Sequence, residues 1–133
     1  MTKNNVSINT NTNTNLNIKL VIVHLLHIFI IGGLFIYVGI NNTKIYSFIY
    51  PLLIFLGFYV LVYHFYRAYK AIITKKTAWI WVNIFHIIIV APILLIIGFK
   101  GLDTPNFFYE LLLMLGFASV GYHGYYLYLE LKK

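Results

Sequence analysis

YPLLIFLGFYVLVYHFY, residues Tyr50 to Tyr66, returns 59 positions later as YELLLMLGFASVGYHGY, residues Tyr109 to Tyr125. The two stretches share Tyr, Leu-Leu, Leu-Gly-Phe and Tyr-His-x-Tyr at one spacing. Extended over Val23 to Tyr69 at the same offset and without a gap, 16 of 47 positions are identical, including His27/His86, Gly39/Gly98, Gly57/Gly116 and His64/His123. A long fixed period with no insertion is what a duplicated supersecondary unit leaves behind. The expected fold is therefore all-α: a four-helix transmembrane bundle built from two tandem helical hairpins, over residues 18–74 and 77–133.

Composition points to the same class. The chain is 61% hydrophobic and 10% charged over 133 residues, which a soluble domain could not keep in water. Four apolar runs stand out, Ile18 to Ile40, Ile45 to Tyr69, Thr77 to Gly98 and Asn106 to Tyr128. Each has about the 20 residues that cross a bilayer as a helix, and inside lipid a helix satisfies its own backbone. The first run is too long for a signal-peptide core and is repeated later in the chain, so it belongs to the fold. Residues 1–17, with an Asn-Thr run, read as a disordered polar tail. Cysteine is absent, which excludes disulfides, thiolate ligands and thiol catalysis.

The formal charge of +7 is distributed for membrane orientation rather than for nucleic acid. Lys3, Lys19, Arg67, Lys70, Lys75, Lys76, Lys132 and Lys133 fall at one end of the expected bundle, and only Lys44 and Lys100 at the other. The positive-inside rule then predicts a multi-pass protein with both termini cytoplasmic, whose partners are the lipid bilayer and, as an open question, further copies of itself. Trp79, Trp81, Tyr66, Tyr69, Tyr125 and Tyr128 sit where interfacial anchors are expected.

Ionisable side chains inside a bilayer are costly and mark the candidate site. Counting about 1.5 Å per residue from the basic ends puts His27 about 12 Å deep, His64 about 9 Å, His86 about 15 Å and His123 about 10 Å, one level in one leaflet. Tyr50, Gly57 and His64 lie seven apart, as do Tyr109, Gly116 and His123, so each trio lines one stripe. Glycine two turns from an inward histidine makes room for a tightly packed neighbour or for a cofactor edge. The expected cofactor is haem b, held by two imidazoles, with Arg67 near a propionate. The alternatives are a non-haem metal on His27, His64, His86 and His123, a proton relay, and histidines that only pack and hydrogen-bond as structural glue. His24, one turn before His27, is expected as an auxiliary hydrogen-bonding group whose repeat partner is Asn83. Gly32-Gly33 and Ala91-Pro92 occupy equivalent places, and a kink is expected at the proline. No catalytic triad, carboxylate pair or phosphate loop is present.

The stretches NIFHIIIVAP (Asn83 to Pro92), GFKG (Gly98 to Gly101), Thr104-Pro105 and LLMLGFASVGYH (Leu112 to His123) resemble small multi-pass membrane proteins of large DNA viruses of protists. The resemblance covers mainly the second repeat. It implies a viral inner membrane or a host membrane as the location, and no particular activity.

Overall fold

The structure, a computed structural model, describes residues 17–78 and 80–133, so Trp79 and most of the polar tail lie outside the described residues. Four helices follow in order: α1, Ile18–Lys44; α2, Ile49–Ile73; α3, Ile80–Asp103; and α4, Asn106–Leu131. Asn17, expected in the tail, is instead the N-cap of α1, its side chain accepting from the Leu20 amide at 3.3 Å. The α1 and α3 ends are built alike. Asn42 and Gly101 take φ of 58° and 56°, and each opens a single 3₁₀ turn, Asn42–Lys44 and Gly101–Asp103. Glycine occupies that backbone region without strain, and asparagine tolerates positive φ better than most residues.

α1, α2 and α3 are long and apolar enough to cross a membrane. α4 has 26 residues and so the length, but Glu110, His123, three glycines and several tyrosines dilute its apolar character. Length and composition thus mark three spans rather than the four expected, and the molecule is a helical membrane protein. Exposed Phe29, Phe55, Val62, Ile88 and Met114 cover its outer faces with hydrocarbon.

Just before Pro92, where a kink is expected, the helix carries a widened turn. α1 is π-helical over His27–Gly32 and α3 over His86–Val90, both segments beginning at a histidine. Proline cannot donate to the carbonyl four residues back, and a π turn just before it absorbs the lost bond. Gly32-Gly33 allows the same relaxation in α1.

Close packing joins α1 to α4 and α2 to α3, so the helices of each expected hairpin meet mainly the other half of the chain. Glycine sets the approach. A Cβ built on Gly39 would lie 2.6 Å from Leu113 Cβ, and one on Gly98 2.5 Å from Ile54 Cγ1, the same contact 59 residues on. Gly57 meets Leu94 and Leu95, and Gly116 meets Phe35 and Ile36, again an equivalent pair. The core, with Phe35, Val38, Leu53, Leu94, Ile97, Tyr109 and Leu112 at its centre, draws on all four helices. It lies toward the end that carries the two 3₁₀ turns. Toward the other end, the buried side chains among the described residues are Ala68, Asn83 and Glu130.

Gly39→Ala drives a methyl into the Leu113 backbone, which cannot rotate away, and costs about 1–3 kcal/mol as overpacking does. Gly33→Ala, with nothing within 4 Å of the new Cβ, is neutral. Thermal denaturation of both variants in mild detergent checks the contrast.

Candidate functional site

The helix pairing stacks the four layer histidines two by two. The His64 and His86 rings, from α2 and α3, have centroids 4.0 Å apart and planes 11° from parallel. The His27 and His123 rings, from α1 and α4, lie 4.2 Å apart at 27°. Tyr63 stands edge-on to His64 and Tyr122 edge-on to His123, each at 5.2 Å. All four imidazoles are half-buried.

Each of the four also has its Nδ1 engaged. His27 Nδ1 lies 2.8 Å from the Val23 carbonyl and His86 Nδ1 2.7 Å from the Val82 carbonyl, one turn back on the same helix. A carbonyl only accepts, so both rings carry their proton on Nδ1 and present a lone pair at Nε2. His64 Nδ1 donates to Asn83 Oδ1 at 2.9 Å, which gives the same tautomer. His123 Nδ1 lies 3.0 Å from His24 Nδ1. Among the described residues none of the four Nε2 atoms has a hydrogen-bond partner. Imidazole ligands in metal sites are held in this way, with the second nitrogen donating to a fixed acceptor.

The expected site residues therefore fall into groups. His27, His64, His86 and His123 come together as two pairs, and His27 lies within electrostatic range of both His64 and His86. Gly57 and Gly116 serve helix packing, because neighbouring side chains take up the space beside them. Arg67 is exposed one turn beyond His64, toward the basic end. His24 has the auxiliary role expected of it, and Asn83, buried at 8% exposure, plays the same part for His64. Its equivalence to His24 was the available signal. Ser119 was not anticipated: its hydroxyl donates to the His27 carbonyl at 3.2 Å, at the start of the π turn. A carbon-lined recess of about 220 Å³ between α3 and α4, bordered by Phe85, Ile89, Met114 and Ala118, offers no polar group to orient a ligand.

A six-coordinate iron between two imidazoles needs ring centroids about 6 Å apart, given iron–nitrogen bonds of about 2 Å. Neither stacked pair has that room between its own members. An iron held by two imidazoles without separating a stack would therefore have to take one from each pair. Among the described residues no group of three or more His, Cys, Asp or Glu is arranged to hold a metal ion. No protein-family description, curated protein or solved structure matches the chain.

Asn83→Leu removes the acceptor of a half-buried imidazole N–H and is expected to cost about 1–3 kcal/mol. Asn83→His, which copies the His24 arrangement, recovers most of that loss. Unfolding in detergent, followed by circular dichroism, measures both.

Proposed function

We propose that the chain is a four-span integral membrane protein, two tandem copies of a helix pair, whose histidine layer binds haem b for electron transfer or redox sensing. Two imidazole Nε2 atoms, one from each stacked pair, would hold it. The observation that carries this reading is the state of the layer: four Nδ1 atoms engaged, and four Nε2 atoms without a hydrogen-bond partner among the described residues. A bare metal ion usually needs three or four protein donors, whereas the porphyrin supplies four and leaves two axial positions to the chain. Fewer side chains are buried in the bundle half that holds the layer than in the half that holds the core. Arg67, exposed at the basic end, is the cation nearest in sequence for a propionate. The bias of basic residues supports cytoplasmic termini, and the likeness to viral membrane proteins fits a viral inner membrane or a host membrane during infection.

A second reading is favoured by the stacking itself. Rings in face-to-face contact at 4.0 and 4.2 Å already bind helix to helix, and intramembrane histidines of that kind can serve only as packing and hydrogen-bonding groups in a scaffold.

Haemin titration of the purified full chain in mild detergent separates the two. Haem ligation predicts a Soret band and a low-spin bis-imidazole spectrum, both lost when His64→Ala and His86→Ala are combined. A wild-type chain that takes up no haemin, while those substitutions only lower its melting temperature, supports the scaffold. Single cysteines replacing Lys44 and Lys133, in a chain that otherwise has none, are expected to label from opposite sides of a sealed vesicle.

A further inference from the structure

Positions 24 and 83 are equivalent at the offset of 59, and each faces the Nδ1 atom of the layer histidine on the neighbouring helix. Their chemistry differs. Asn83 presents an amide oxygen, which only accepts, and so commits His64 to the tautomer with a lone pair at Nε2. His24 presents an imidazole nitrogen, which can accept or donate. Two neutral imidazoles meeting Nδ1 to Nδ1 share one proton at the contact. When His24 donates it, the remaining proton of His123 sits on Nε2, and that atom has no lone pair for a metal.

His27 has no such freedom, because the Val23 carbonyl fixes its Nδ1 as a donor. Each imidazole of the pair lies within electrostatic range of the other pair, His27 of His64 and His86 and His123 of His86. His123 is further enclosed on its own side: His24 sits with its centroid at 5.3 Å, Tyr122 stands edge-on, and Tyr126 stacks against His24 at 6.2 Å. The two halves of the layer are thus alike in shape and unlike in coordinating ability.

Building on the haem reading, we propose that His27 is the imidazole of α1 and α4 that would hold the haem, and that His24 is a positioning residue that holds His123 out of coordination. The partner across the layer is His64 or His86, both of which present Nε2 lone pairs. In sequence terms, one substitution at the position shared by His24 and Asn83 leaves His64 of the first half ligand-ready and its counterpart His123 of the second half not.

Haemin titration of the full chain in detergent tests the assignment. His27→Ala is expected to weaken haemin binding at least about 10-fold, and His123→Ala, which removes only the ring stacked on His27, to weaken it clearly less. His24→Asn copies the Asn83 arrangement and frees His123 Nε2, so adding it to His27→Ala restores binding. Equal losses in His27→Ala and His123→Ala, or no rescue by His24→Asn, overturn the assignment. Nitrogen-15 histidine spectra of the haem-free chain give an independent readout. Nδ1–H tautomers are expected at His27, His64 and His86 and a mixed state at His123, which becomes Nδ1–H in His24→Asn. A pure Nδ1–H tautomer at His123 in the unsubstituted chain contradicts the role given to His24. A wild-type chain that takes no haemin removes the haem reading and the ligand assignment with it, and the spectra still decide whether His24 controls His123.

Discussion

Backbone contact at glycine is the constraint on which the other features depend. Inside lipid there is little hydrophobic gain in bringing two apolar helices together, so association relies on close van der Waals fit and on polar contacts between helices. Gly39 lets α1 approach the Leu113 backbone of α4, and Gly98 lets α3 approach Ile54 and the Tyr50 carbonyl of α2. Gly57 and Gly116 repeat the device one bundle layer nearer the histidines. These contacts choose the partners: α1 with α4 and α2 with α3. That choice decides which imidazoles stack, since His27 can meet His123 and His64 can meet His86 only along those seams.

Polar groups at this depth need partners, and the molecule supplies them locally. His27 and His86 bond to carbonyls of their own helices one turn back, next to the π turns. The widened turn in α1 also leaves the His27 carbonyl open to Ser119 of α4, a bond that crosses the seam the glycines created. His64 and His123 lack that local solution and reach across to Asn83 and His24. The layer is therefore held twice, by stacking between helices and by a hydrogen bond at each Nδ1.

Much of this was legible in the sequence, for identifiable reasons. A 59-residue offset that conserves histidine and glycine together locates the layer and the contact points, and counting along helices of opposite direction puts the four histidines at one depth. Helix pairing was not legible. A tandem repeat is equally consistent with tight contact inside each hairpin and with contact between halves, and only the opposing surfaces, Leu113 against Gly39 or Leu94 against Gly57, decide it. The π turns escaped because Gly32-Gly33 and Ala91-Pro92 announce weakened helix without saying how the backbone yields. Asn83 drew attention only as the counterpart of His24, since one asparagine in an apolar run does not reveal what it faces. α4 looked like a span by length, while its glycines, tyrosines and His123 give it a more mixed composition.

Engineered disulfides test the helix pairing most directly, because the chain has no cysteine of its own. A Cβ built on Gly116 lies 3.1 Å from Phe35 Cβ, and one on Gly57 lies 3.3 Å from Leu94 Cβ, a few tenths of an ångström short of the roughly 3.5–4.5 Å that a disulfide spans, a gap that a small shift of the helices opens. The pairs Gly116→Cys with Phe35→Cys and Gly57→Cys with Leu94→Cys are each expected to close within a single chain under mild oxidation in lipid, as read by mass spectrometry. Crosslinks that form only between chains, or in neither variant, would contradict the pairing and with it the stacked histidine layer.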